Sequence, residues 1–364
     1  MDDTVKYEGF DFGFDTSGLA AYSGYIKDPA LLRQSASGGA ATAFARQTIL
    51  VGGCVYGVSY SDDFRGAEFC RIEDLEGLGR IKSSKYIRTK KQISGSEGKT
   101  PLFQSVAEDL ASGRRVLFTG LGCDVGALLK YCEDSGTDTA SLYTLELICN
   151  GPTHPEVAEQ YISDLEKKLG SKIRELNVRY KKKYFEFAYL RAVTESGKVY
   201  EAPFYETDYG KAFVEYPIRQ CFDCRYKGAG HPGDLVIGDY WGMDRSSKEY
   251  NPGGTSVIFV RTEKGREMIG GLDRDFFSLS EAPLEHALIR SDNYYDRHKE
   301  PGGLSRFERD FREHGLHYAV TNAHGAAYKI KRKIRSHLPK ELRLKISDGK
   351  RVGRVQRRHG GGKG

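Results

Sequence analysis

Residues 116–170 read VLFTGLGCDVGALLKYCEDSGTDTASLYTLELICNGPTHPEVAEQYISDLEKKLG. Val116–Thr119 is a short apolar run bounded by glycine, the pattern of a buried strand. Val125–Tyr131 is helical, Ser141–Ile148 is a second apolar strand, and Pro155–Leu169 is a helix with proline at its first position. Strand, helix, strand, helix at this spacing predicts parallel pairing with helical crossovers. Loops at the carboxyl ends of such strands usually carry the site. Here each strand runs straight into a cysteine, Cys123 after Gly120-Leu121-Gly122 and Cys149 before Asn150-Gly151-Pro152.

Working outward, Ala40–Leu50 reads as a helix after the loop Ser35-Ala36-Ser37-Gly38-Gly39. Cys54–Tyr60 and Glu68–Ile72 read as strands, IKSSKYIRTK at 81–90 as a basic loop, and 101–112 as a helix. Beyond 170 the pattern changes. Ile173–Tyr180, Tyr184–Ala192 and Val199–Pro203 look like antiparallel strands with polar turns. Leu235–Gly238 and Thr255–Val260 read as buried strands, whereas Lys264–Gly271, Ser280–Ile289 and Leu304–His314 read as helices. The expected class is α/β, mixed α+β in its second half. A parallel N-terminal region joins an antiparallel-rich C-terminal region. The expected divisions are an irregular arm at 1–32, a first part at 33–120, a second at 121–290, a helical extension at 291–327 and a basic, disordered tail at 328–364.

Composition narrows the function classes. At 39% hydrophobic residues over 364 positions, the chain can bury a core and does not have a disordered composition. The 43 glycines suggest many tight turns and close backbone approaches. Residues 328–364 hold 14 Lys/Arg against 2 Asp/Glu, a net of +12; with a chain total of +6, the rest carries −6. The positive total therefore describes the tail, which could touch an anionic surface, and not the body. No basic start followed by an apolar stretch marks a secretory signal, and no run reaches the roughly 18 apolar residues of a membrane span. A cytoplasmic location is expected, and the seven scattered cysteines then favour metal or redox use over a disulfide framework.

Four cysteines lie in glycine-rich or turn-prone surroundings: Cys123, Cys149, Cys221 and Cys224. Cys54, Cys70 and Cys132 lie in strand or helix patterns, where cysteine is usually a small buried hydrophobe. Four thiolates suit one [4Fe–4S] cluster or a structural zinc. A lone reactive or structural Cys-x-x-Cys pair is the third reading. Ser37-Gly38-Gly39 before a helix could receive an anion on backbone N–H groups or could be an ordinary helix start. Lys82, Lys85 and Arg88 could hold a phosphate or form a solvated loop. Asp239 and Trp241 follow a buried strand between Gly238 and Gly242; Asp239 could orient a cofactor, and Trp241 could cover a flat ring or simply pack. His154 and His231, the histidines nearest to these cysteines in sequence, could donate protons or be surface or structural residues, the more frequent outcome.

Six motifs in order resemble the coenzyme F420 hydrogenase/dehydrogenase beta-subunit family. They are Ser37-Gly38-Gly39, Ser84-Lys85-Tyr86, Gly120-Leu121-Gly122-Cys123, Ile148-Cys149-Asn150-Gly151, Cys221–Gly228 and Gly238–Gly242, spread between about 33 and 270. The resemblance implies an oxidoreductase with FAD and a [4Fe–4S] cluster that passes electrons to or from a second substrate. That substrate would be the deazaflavin coenzyme F420 or another reducible small molecule, with polysaccharide metabolism one setting. It also implies Cys123, Cys149, Cys221 and Cys224 as cluster ligands, and Ser37, Gly38, Gly39, Lys85 and Asp239 as cofactor-binding residues. Gly122, Asp124 and Asn150 stand where the family usually has Pro, Gln and His, which alters the polar groups beside the ligands. The N-terminal ferredoxin module is missing, so electrons would come from a separate donor such as a ferredoxin or a partner subunit. The alternative is a zinc-stabilised or cluster-free binding protein that uses its basic tail on an anionic partner.

Overall fold

The structure is a computed structural model. It describes residues 11–323 apart from 96, 97, 183 and 298, and beyond these only 334, 337–339 and 342. The expected basic tail, with its apolar residues at Ile330, Ile334, Leu338, Leu342 and Ile346, falls almost wholly outside the described residues.

Thirteen strands are present among the described residues: β1 (Ala20–Ile26), β2 (Cys54–Tyr60), β3 (Ala67–Ile72), β4 (Lys90–Gly95), β5 (Gly98–Pro101), β6 (Val116–Leu121), β7 (Leu142–Leu147), β8 (Ile173–Lys181), β9 (Ala188–Thr194), β10 (Val199–Pro203), β11 (Leu235–Asp239), β12 (Ser256–Val260) and β13 (Phe277–Glu281). The helices are α1 (Pro29–Gln34), α2 (Ala40–Leu50), α3 (Leu78–Ile81), α4 (Leu102–Ala111), α5 (Gly122–Ser135), α6 (Pro155–Leu169), α7 (Asp208–Glu215), α8 (Glu263–Gly270), α9 (Leu284–Ile289), α10 (Asp292–Tyr295), α11 (Leu304–His314) and α12 (Leu316–Asn322). Ten strands form one sheet in the order β13-β1-β12-β11-β7-β6-β2-β3-β4-β5, and β10-β9-β8 form a second.

At the centre, β11, β7, β6 and β2 pair in parallel, as the apolar runs predicted. Alternation along these strands separates two cores. Val55, Leu117, Leu145, Leu235 and Ile258 pack with Phe44 and Ile49 of α2 on one face. Tyr56, Val116 and Phe118 pack with Val106 of α4 and with Val125 and Leu128 of α5 on the other. Around the small sheet, Val178, Leu190 and Ala192 join Val157 and Ile162 of α6, Phe213 of α7, Phe307 of α11 and Leu316 of α12.

Two expectations are corrected. The stretch 1–32 is not wholly an irregular arm: Ala20–Ile26 is a strand between β12 and β13, and Pro29–Gln34 is helical. Ser280–Ile289 is not one helix, because 277–281 pairs antiparallel with β1 before α9 begins at Leu284. In both cases the deciding bonds are to strands far away in the chain. The basic loop read at 81–90 begins on the last residue of α3 and ends on the first of β4. The described residues include no helix long and apolar enough to cross a membrane.

The consequence for function is directional. The carboxyl ends of β1, β11, β7, β6 and β2 lie on one edge of the large sheet, because β1 and β11 both run antiparallel to β12. The Cys123 turn, the Cys149 loop and Asp239 emerge there, the Ser-Gly-Gly loop follows β1 and α1, and the Cys221–Cys224 loop, which precedes β11, docks on the segment after β7.

Candidate functional site

Three loops bring the four cysteines into one neighbourhood. β6 passes directly into α5, and Asp124 closes the joint by accepting the Leu121 N–H at 3.0 Å. Lys91 of β4 pairs with the other oxygen of Asp124. Cys123 therefore sits in the first turn of α5, exposed to solvent. β7 ends before Cys149, whose sulfur accepts the Gly151 N–H at 3.1 Å. The third loop docks onto the second: Ile218 N–H donates to Pro152 O at 3.0 Å, and Thr153 Oγ1 donates to Tyr216 O at 2.9 Å. A Cβ on Gly151 would stand 3.3 Å from Cys221 Sγ, and Gly151 has φ of +96°. Glycine is needed at 151 on both counts. Lys227 reaches back with its ammonium to Cys149 O at 2.6 Å and to Asn293 O.

All seven cysteines are free thiols, and Cys54, Cys70 and Cys132 are buried as their patterns predicted. Burial pushes the Cys123 thiol up to about 12, and the charges of Asp124, Cys149 and Cys224 add to it. Cys123 is exposed as a residue, yet the atoms packed around its sulfur still disfavour the thiolate. Burial likewise pushes Cys149 and Cys221 up to about 11, against the opposing pull of Lys227. Each of these thiols feels at least two of the other three, so the four share one electrostatic site. Such values do not suit a reactive dithiol, which needs a lowered pKa. Among the described residues no three His, Cys, Asp or Glu side chains gather as ligands of a single metal ion.

The C-terminal helices brace these loops. Arg219, two residues before Cys221, pairs with Glu308 of α11 at 2.6 Å and with Glu300 at 3.0 Å. Tyr216 and Phe307 stack with ring centroids 4.2 Å apart and planes 1° from parallel. Beneath the Cys123 turn lies a pair the sequence reading missed. Glu146 Oε1 stands 2.6 Å from His231 Nδ1, and His231 Nε2–H donates to Tyr294 O at 2.7 Å. Glu146 also accepts the Gly233 N–H at 3.1 Å. One proton lies between the carboxylate and the ring. The signal for it was a lone charge in the apolar run LYTLEL.

A second polar centre lies between the two sheets. Asp239, at the end of β11, accepts from Arg179 Nη2 of β8 on both of its oxygens, each at 2.8 Å. Lys181, two residues on, shares that face of the strand and donates to Leu32 O at 2.9 Å and Ser37 O at 2.5 Å. Ser37 Oγ donates to Gly238 O and Thr255 O at 3.1 and 3.0 Å, and the Gly38 N–H donates to Ser256 Oγ at 2.9 Å. A Cβ on Gly38 would lie 2.1 Å from Gly24 O. The Ser-Gly-Gly loop is thus clamped onto β1 and β12. Trp241 packs near Phe185, ring centroids 5.8 Å apart.

Lys85 is buried, with its ammonium on Lys82 O at 2.5 Å and Ser83 O at 3.1 Å and 5.6 Å from the Tyr60 ring. Backbone strain concentrates at these motifs. The described non-glycine residues with positive φ are Ser37, Ser83 and Tyr86, at +49°, +65° and +57°, and Phe64. Three of the four lie in the two loops singled out from sequence, and such strain is often retained at functional sites. A groove of about 740 Å³ adjoins, lined by Arg33 and Gln34 of α1 and by Asn177, Tyr180 and Arg191 of the small sheet. Ser83 Oγ donates to Asn177 Oδ1 at 3.1 Å, and Lys82 donates to Gln34 Oε1 at 3.2 Å, so the basic loop borders it. Arg179 and Lys181 went unnoticed in the sequence, where RYKKK reads as one charged strand end.

Burial lowers both Lys85 and Lys181 to about 7. An unfolded lysine titrates near 10.4, so between about 7 and 10 the unfolded chain holds more protons and stability rises with pH. Lys85→Met is expected to remove up to about 1.4 kcal/mol per pH unit of that rise. Denaturant titrations from pH 7 to 9 check this; an unchanged slope in the variant would refute it.

Residues 113–283 match the family model for the C terminus of the coenzyme F420 hydrogenase/dehydrogenase beta subunit. This segment belongs to that beta-subunit family. The match spans Cys123, Cys149, Cys221, Cys224 and Asp239 but ends before α9, so the bracing helices α11 and α12 lie outside it. In fold, the chain resembles one in the F420-reducing [NiFe] hydrogenase complex from Methanosarcina barkeri. The TM-score is 0.50 at 18% identity, over 81% of this chain and 92% of that one. No curated protein matches in sequence. A redox function of the F420 hydrogenase/dehydrogenase beta-subunit type is the coarse reading this supports.

Proposed function

We propose that the protein is an oxidoreductase that passes electrons between a [4Fe–4S] cluster, FAD and a second small-molecule substrate. The observation that carries this reading is the gathering of four free, mutually coupled thiols from three loops at the carboxyl edge of a parallel sheet. Cys123, Cys149, Cys221 and Cys224 would hold the cluster. The donor set suits it: four sulfurs with one iron each need not converge on a point as zinc ligands must. The raised thiols give up protons on metal binding, so loading is favoured as pH rises.

Ser37, Gly38, Gly39, Lys85 and Asp239 would form the flavin side. The N–H of Gly38 and the hydroxyl of Ser37 are already engaged within the chain. The loop's contribution is therefore a rigid wall, and any charge on the ligand is left to Lys85 and the Arg179–Asp239 pair. The bordering groove, with Arg33, Arg191 and Lys82 at hand, offers room for the second substrate. Bound together, the two groups supply single-electron and hydride transfer. The chain's own work is to hold them near one another, to keep water out with the packed loops, and to position protons at buried lysines. The donor would be a ferredoxin or a partner subunit in the cytoplasm. Whether the substrate is F420 or another reducible molecule turns on the groove.

Anaerobic purification followed by iron, sulfide, zinc and flavin analysis of one sample tests the proposal. About four irons and four sulfides per chain with about one flavin are expected. Colourless protein with stoichiometric zinc would instead establish a zinc-stabilised binding protein.

A further inference from the structure

The mouth of the cysteine site carries two exposed arginines, Arg88 and Arg225, that form no ion pair among the described residues. Cys123 is the one exposed residue among the four cysteines. Both arginines belong to the surroundings of the Cys221–Cys224 loop. Arg88 lies within electrostatic reach of Cys221, and Arg225 follows Cys224 directly. Lys227 touches only carbonyl oxygens. Lys91, acting on Cys123, is partly exposed and shares its charge with the buried Asp124. Asp223, an exposed acid one residue before Cys224, is paired with Arg297 at 3.1 Å. Outside the tail the chain has a net charge of −6, so cations around the cysteine site run against the average of the body.

We infer that this face docks an acidic electron-transfer protein. The inference rests on the cluster reading above and names the kind of partner and where it binds. Exposure of Cys123 makes this the short route for an electron from outside. Complementary charge steers encounter and fixes orientation, and rim charges act mainly on association rate and salt dependence. One electron leaves the partner's reduced iron–sulfur centre and enters the cluster of this chain; no bond forms and no proton moves.

The test uses the anaerobically purified full chain and, as probe, an acidic two-cluster bacterial ferredoxin. Titration of the oxidised ferredoxin at low salt reads affinity without electron transfer, and stopped-flow mixing of the reduced form reads the second-order rate. Arg88→Glu with Arg225→Glu is expected to weaken both by about tenfold or more at low ionic strength. The difference should vanish near 1 M salt, where charges are screened within about 3 Å. Iron content and the extent of reduction by excess dithionite should match the unaltered protein, which separates docking from damage to the site. Equal affinity and rate in the double variant, or a rate in the unaltered protein that rises with salt, would overturn the docking face while leaving the cluster in place. Unaltered protein without iron would instead remove the cluster reading and this face with it.

Discussion

Cys224→Ala is expected to purify with less than about one iron per chain, against about four in the unaltered protein, and to lose its brown colour. With the four cysteines as ligands, loss of one thiolate would leave one iron open to water and oxygen. Cys132→Ala is the matched control. That cysteine is buried in α5 and belongs to the core that includes Val116 and Leu142, not to the cysteine site. Its removal should cost stability and leave iron unchanged. Iron and acid-labile sulfide assays on both variants, with circular dichroism to confirm folding, decide the matter. Full iron in Cys224→Ala would mean that the ligand set is wrong.

The second large effect concerns Arg179 and Asp239. The Arg179 side chain is 2% exposed and that of Asp239 15%. Removing the carboxylate strands a guanidinium between the two sheets, which costs about 3–5 kcal/mol. Asp239→Ala is therefore expected to lower the melting temperature by about 4–7 °C. Replacing both partners with leucine should recover most of the loss, because no uncompensated charge then remains. Thermal unfolding of the single and double variants measures it. A single variant within about 1 kcal/mol of the unaltered protein would show that the pair is not held as described. Flavin content of the double variant adds a readout that stability alone would not move. Stable protein without flavin would support a place for the pair in the cofactor pocket.

Much of the fold was legible because its signals are local. Pro155 and Gly170 bracket α6, and the apolar runs at 116–119 and 141–148 mark the buried parallel strands. The alternation at Val199–Pro203 marks β10, and Leu304–His314 is helical as read. Failures came where structure depends on distant partners. AAYSGYI at 20–26 has small residues and glycine, with weak strand preference. It becomes a strand because 256–260 and 277–281 lie on either side of it. The same pairing turns 277–281 from an apparent helix start into a strand.

The site divides in the same way. The sequence by itself determined which side chains are available: four cysteines in turns, a Ser-Gly-Gly loop and a Ser-Lys-Tyr loop, each recognisable from its neighbours. Tertiary structure alone decided what stands against them. Arg179 meets Asp239 across 60 residues, Lys181 meets the Ser37 carbonyl across 144, and His231 meets Glu146 across 85. Those pairings follow from strand order, strand register and the way the small sheet packs on the large one. A side chain's chemical type is local, but burial and partners are properties of the assembled sheets, and these govern whether a charge is neutralised, shifted in pKa or left free to meet a ligand.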